Sequence, residues 1–231
     1  MSGIAFPPLL TGLAVAGDPL EAALAAMPEI DPGTVFYGVD EEVMRAAVVL
    51  APETPLAQAI SVSFAIALGL NDAVGALAPP EVALHFEWPG SFRVNGAECG
   101  RMCARASTEV PGDEPDWLVV GLEVPVVGGM SEEPGAVSDR TNLHAEGCGD
   151  ITVPHLIEAW ARHMMNWLHI YMTDGFAPLH EEWRSRAYKM GDAIDAPVTG
   201  TFVGLDEWGG MILKEAGATR ILPLTALLEP S

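Results

Sequence analysis

Two cysteines and two arginines alternate along one short stretch, Cys99-Gly-Arg101-Met-Cys103-Ala-Arg105. A thiol attacks as its thiolate, and a guanidinium beside it lowers the thiol pKa. On an extended strand the two cysteines share a face, and so do the two arginines. The expected arrangement turns the arginines away from the thiols, so buried structural cysteines are favoured over a nucleophilic thiol. Cys148 makes the count three, without the even, regular spacing of a disulfide framework. His155, His163 and His169 fall on one predicted helix, but separations of eight and six do not stack them as metal ligands. Glu158, three residues after His155, makes only a weak ligand pair, and no metal is expected. No Ser-His-Asp pattern is found, and GLNDAVG lacks the lysine of a phosphate-binding loop. Catalytic residues are therefore not assigned from motifs.

Charge narrows the partners. The 231 residues carry a net charge of −21, and Arg45 is the only Lys or Arg in the first 92 positions, against eleven Asp and Glu. With no basic stripe to replace counterions, nucleic acid is excluded, and so is docking on anionic lipid. The acidity implies solubility first and a cationic protein partner second. Hydrophobic residues make up 49% of the chain, enough for a sizeable core. The opening MSGIAFPPLL does not have the pattern of a secretion signal, and the apolar run Ala59–Leu70, stopped by Asn71-Asp72, is short for a membrane span. A cytoplasmic protein is the expectation.

The chain supplies elements to position these groups. DPLEAALAAMP predicts a short helix capped by Asp18, with Pro19 at its first position and Pro28 past its end. TVFYGV and RAAVVLAP predict strands joined by the acidic turn DEEV. Pro55–Leu77 predicts a helix apolar nearly all round, hence buried. VALHFEW, FRVNG, CGRMCARAS and PDWLVVGLEVPVV predict further strands, and SEEPGAVSD an exposed loop. Leu156, Trp160, Met164, Trp167 and Tyr171 recur at three and four and predict a long helix, Thr152–Thr173. A second helix is expected from Pro178 to Gly191. After Asp192, short β runs alternate with glycine turns as in a small barrel. The plan is α+β, a mixed or antiparallel sheet with packed helices over 1–191, and a small β module over 192–231.

Several of these stretches resemble the biotin protein ligase catalytic domain of the biotin/lipoate ligase-like family. EWPGSFRVNGAECGRM resembles its KWPND strand and VNG hairpin, and WLVVGLEV its GIGINV-type strand. The late helical pair with Trp183, Arg184 and Arg186 resembles its WR-x-R element, and the tail its SH3-like C-terminal domain. The resemblance implies biotin and ATP as substrates, with biotinyl-5′-AMP as intermediate and a carrier-protein lysine as acceptor. It also implies that the hairpin and the GIN-type strand line a slot for a small cyclic or acyl ligand, here Trp88, Pro89, Gly100, Arg101, Gly121, Leu122 and Glu123. The alternative for Trp88 and the glycines is a core aromatic and turn residues.

The chemistry departs from the family pattern. Joining a carboxylate to a polyphosphate needs fixed positive charge and backbone amides at the developing phosphorane. The family's GRGRRGR-type loop has no counterpart, and Gly38-Val39-Asp40-Glu41-Glu42 links the flanking strands. Glu87 stands where the family has its first lysine, Gly90 and Ser91 where it has Asn and Asp, Ala97 or Glu98 at the hairpin lysine, and Glu123 at the strand's Asn. Each oxyanion-stabilising group contributes about 3 kcal/mol, so several losses together cost many orders of magnitude in rate. The expectation is a ligase-like protein without ATP-dependent adenylation that binds a small molecule or a protein, a second copy of itself included. The alternatives are a working biotin or lipoate ligase whose positive charge comes from Arg101, Arg105 or a partner subunit, and a Cys-dependent acyltransferase, which the resemblance to the wider fold implies.

Overall fold

Alternating apolar positions in the first half of the chain assemble into one seven-stranded sheet in the computed structural model, which describes residues 4–128 and 139–229. The strands are β1 (Thr11–Val15), β2 (Thr34–Gly38), β3 (Val43–Leu50), β4 (Leu84–Glu87), β5 (Ser91–Val94), β6 (Ala97–Ala106) and β7 (Leu118–Pro125). Their order is β1-β2-β3-β7-β6-β5-β4. Only β1 and β2 run parallel, so the sheet is mixed. Strand β1 escapes the sequence reading because TGLAV carries little bulk and sits at an edge, mostly exposed. The expected loop at SEEPGAVSD lies outside the described residues, apart from its last residue, Asp139.

The two faces are covered unequally. On one, helix α1 (Pro19–Ala25) buries Leu20 and Ala23 against Phe36, Ala47, Val49 and Val119. Asp18 caps it, accepting from the N–H groups of Leu20 at 2.8 Å and Glu21 at 3.1 Å. The other face carries the main core. There α2 (Leu56–Ala59) passes through a 3₁₀ turn into α3 (Ser63–Leu77), which packs on α4 (Val153–Asp174) and α5 (Ala177–Ser185). Gly69 permits the close approach of α3 to α4, since a Cβ there would stand 2.7 Å from the Met164 backbone.

The buried helix runs to Leu77 as expected, through the polar pair Asn71-Asp72 that ends its apolar run. Asn71 donates to the Leu84 carbonyl at 2.9 Å and Asp72 accepts from the Trp167 indole at 2.7 Å, so both polar side chains are satisfied and the helix runs on. Leu56–Leu77 is then long and apolar enough to cross a membrane by length and composition, but most of it is buried in this core.

Helix α5 ends at Ser185, short of the expected Gly191. Edge strand β4 takes the chain instead: Phe86 N–H donates to Arg186 O at 3.0 Å and Tyr188 N–H to Phe86 O at 2.7 Å. Trp183 lies between Phe86 and Phe64, with ring centroids 5.5 and 4.8 Å away, and fixes this junction.

The C-terminal β module is a four-stranded antiparallel sheet of β8 (Ala193–Ile194), β9 (Gly200–Leu205), β10 (Met211–Glu215) and β11 (Ala218–Leu222). Phe202, Leu205, Met211, Leu213, Leu224 and Leu227 join the main core. Gly209, at φ +85°, brings its carbonyl to the Trp88 indole N–H at 2.9 Å.

Candidate functional site

Three central strands and the start of α1 enclose a cavity of about 100 Å³ on the thinly covered face of the sheet. Its floor is Arg45 and Ala46 of β3, Gly121 to Glu123 of β7, and Arg101 and Cys103 of β6; its wall is Asp18 to Glu21, and its rim Glu229. Register explains the convergence. Arg45 pairs with Glu123 across β3 and β7, and Glu123 with Arg101 across β7 and β6, so three charged side chains form one cross-strand row. Gly121, two pairs along and beside Cys103 on the same face, leaves the floor low.

Each cation of this cavity already faces a carboxylate. Arg45 donates to Glu123 at 3.0 Å and to Asp40 at 3.1 Å. Burial works against the Arg45 charge, but Glu123 and Asp40 outweigh it and hold its pKa above the usual value. The Glu42 backbone N–H, helped by that of Val43 and by Arg45, holds Asp40 below the usual carboxylate range against the opposing effect of burial. Arg101 and Arg105 both lie near Glu229, at 3.8 and 3.7 Å. Neither lysine of the chain, Lys189 or Lys214, lines the cavity.

The cysteine arrangement differs from the expectation on two counts. Gly100 adopts φ +116° and the β5–β6 register shifts there, so Cys99 turns into the main core while Cys103 faces the cavity side. Arg101 and Arg105 lie two residues either side of Cys103 and share its face; they do not turn away. Burial nonetheless pushes both thiols up to about 12, with Glu229 adding to the effect at Cys103 and Glu146 at Cys99. At neutral pH both are thiols, poor nucleophiles whatever their neighbours.

At the first lysine position Glu87 is held in a cluster. Arg93 donates to Glu87 at 2.7 Å and to Asp139 at 2.8 Å, reaches the Gly96 carbonyl at 3.3 Å, and lies 5.1 Å from the Tyr188 ring centroid. Gly90 has a steric reason too. A Cβ there would come within 2.6 Å of the Met102 carbonyl, so the hairpin packs too closely for a larger residue.

Of the seven residues expected to line a ligand slot, Arg101, Gly121, Leu122 and Glu123 line the cavity. Trp88, Pro89 and Gly100 do not. Trp88 is 4% exposed in the core, Pro89 follows it in the turn between β4 and β5, and Gly100 makes the bulge against the Glu123 carbonyl. The sequence reading missed Asp18 and Glu229 as lining groups. Arg45 was noticed only as a lone cation, yet a single Arg in an apolar strand is itself a signal, because such a charge needs partners. Among the described residues, no three His, Cys, Asp or Glu converge as a metal site.

Comparison with known proteins agrees with this architecture. The family model of the biotin/lipoate A/B protein ligase family matches residues 6–185, and that of a domain of unknown function matches 190–230. The chain is 28% identical over 183 residues to the biotin--[acetyl-CoA-carboxylase] ligase of Paracoccus denitrificans, covering 76% of this chain and 75% of that protein. A biotin protein ligase-like protein of unknown function from Silicibacter sp. TM1040 superposes with a TM-score of 0.90 at 44% identity, over 98% of this chain and 100% of that one. The Aquifex aeolicus biotin protein ligase in complex with biotin and ATP superposes with a TM-score of 0.71 at 17% identity, over 93% and 95%. The chain belongs to the biotin/lipoate A/B protein ligase family.

Proposed function

We propose that this protein keeps the ligase-fold cavity as a small-molecule binding site and has lost ATP-dependent adenylation. The observation that carries the reading is the charge of the cavity: Arg45 and Arg101 are met by carboxylates, and Asp18, Glu21, Glu123 and Glu229 stand around them. A triphosphate entering there meets acidic groups and no lysine. The turn between β2 and β3 adds Asp40, Glu41 and Glu42, where catalysis by the family's route needs cations. Glu87 does not supply one either, since it is the partner of Arg93. The low floor at Gly121 and the polar groups around it suit a small ligand with polar groups of its own.

Pyrophosphate exchange with biotin and ATP is expected to stay at background, while titration calorimetry with biotin, lipoate and octanoate gives saturable binding of at least one. Exchange at ordinary enzyme rates overturns the loss of adenylation. Absence of binding by all three overturns the small-molecule site. The 28% identity to the Paracoccus ligase favours the second reading, a working biotin ligase, and the same exchange assay separates the two.

A further inference from the structure

We propose that residues 228–229 form a detachable strap that closes the cavity along the edge of β6, hinged at Leu227, and that the cavity of about 100 Å³ is its closed form. Such a strap governs entry to the cavity and does not depend on what enters.

Strand β5 accompanies β6 only as far as the Ser91–Arg101 pair, so the second half of β6 has an edge that β5 does not cover. The end of the described chain fills it. Leu224 and Leu227 of the last 3₁₀ turn are buried, and a side chain at Gly90 would collide with Leu227, so this turn is anchored. Leu228 and Glu229 then leave the core, both half-buried. Leu228 bridges Ala104 in parallel, and Glu229 N–H donates to Ala104 O at 3.0 Å. That contact sets Glu229 at the rim of the cavity that Arg101 and Cys103 line.

The strap is the weakest wall of the cavity. The floor strands lie inside the sheet ladder, and α1 is held by buried Leu20 and Ala23. Glu229 instead stands 3.8 Å from Arg101 and 3.7 Å from Arg105, beyond the usual hydrogen-bond range of about 2.7–3.2 Å, with its side chain 34% exposed. Its departure leaves no buried charge alone: Arg101 is 65% exposed, and Arg105 has a further interaction besides Glu229. What opposes opening is therefore chiefly the bond to Ala104, which biases the equilibrium by roughly two- to tenfold. Local opening of this kind is drawn from the least stable parts of a fold. It widens the cavity on the β6 side without moving β6, β7 or α1.

The test is alkylation of the full chain by iodoacetamide, read at each cysteine by peptide mass spectrometry. Cys103 lines the cavity one residue before Ala104, whereas Cys99 and Cys148 are buried in the main core and serve as internal controls. Glu229→Pro and Glu229→Gln remove the same charge, but only proline removes the N–H that ties the strap to Ala104. Leu228 is already extended, at φ −68° and ψ 128°, as a residue before proline must be. Cys103 should react about fivefold faster in Glu229→Pro than in Glu229→Gln, the weight of one hydrogen bond on the opening equilibrium, while Cys99 and Cys148 keep their rates. Equal Cys103 rates in the two variants would mean that α1 and not the strap covers the thiol, and would overturn the strap. A matching rise at Cys99 would mean a general loosening of the sheet and overturn it as well. Neither readout involves a ligand, so the small-molecule reading stands or falls separately, by calorimetry.

Discussion

One hairpin carries two arginine–carboxylate clusters built in opposite ways. At its first arm Arg93 is buried and holds Glu87 and Asp139 at 2.7 and 2.8 Å, with a carbonyl and an aromatic ring completing its surroundings. At its second arm Arg101 and Arg105 meet Glu229 only at 3.8 and 3.7 Å, and Arg101 is 65% exposed. Desolvation decides what each can be. A buried guanidinium is stable only when its donors are used, so the first cluster is fixed structure. An exposed one is served by water and exchanges partners at little cost, which in the second cluster describes Arg101 but not Arg105, whose side chain is 20% exposed. Glu87, expected at the position of a family lysine, falls in the first cluster and is part of the scaffold.

The largest expected break of that contrast is Arg93→Met. It leaves Glu87 and the Gly96 carbonyl without their partner and should cost about 2–4 kcal/mol in urea unfolding, at an unchanged m-value. A cost under about 0.5 kcal/mol would put both clusters in the same class. Next comes Glu87→Lys, which sets a cation against Arg93 and should cost about 1–2 kcal/mol. It should leave pyrophosphate exchange at background, because the cavity carboxylates remain; restored exchange would mean that one lysine alone separates this chain from an active ligase.

A smaller effect lies outside both clusters, at His180 beside the C-terminal module. Burial, then Arg184, lowers its pKa, against opposing contributions from Asp206 and Leu205. A neutral histidine with a depressed folded pKa lends stability that is complete above its unfolded value, near 6.5, and is lost as pH falls through the folded one. Thermal unfolding of wild type should therefore weaken from pH 7 to 5, and His180→Asn should flatten that slope. The smallest effect is Glu229→Gln on stability, expected within about 0.5 kcal/mol. A larger loss would make Glu229 a structural anchor of the Arg93 kind.

Most of the scaffold was legible because local rules point one way. The Asp18 cap, the Leu156–Tyr171 stripe and the apolar Pro55–Leu77 run each became the element expected of them. What failed was set by distant partners. Helix α5 stops short of Gly191, where β4 offers its edge to the chain that follows. The site was half legible for the same reason. Resemblance led to Arg101, Gly121, Leu122 and Glu123, which line the cavity, and also to Trp88 and Gly100, which serve packing and a bulge.

By itself the sequence determined the family scaffold and the sign of its site, since motif spacing and charge are written along the chain. The tertiary structure alone decided which charges neutralise which. It paired Glu87 with Arg93, set Glu123 between Arg45 and Arg101, and carried Glu229 from the far end of the described chain to the rim of the cavity. Whether a charge is fixed or exchangeable depends on its burial and on the distance to its partner, and neither exists until the chain has folded.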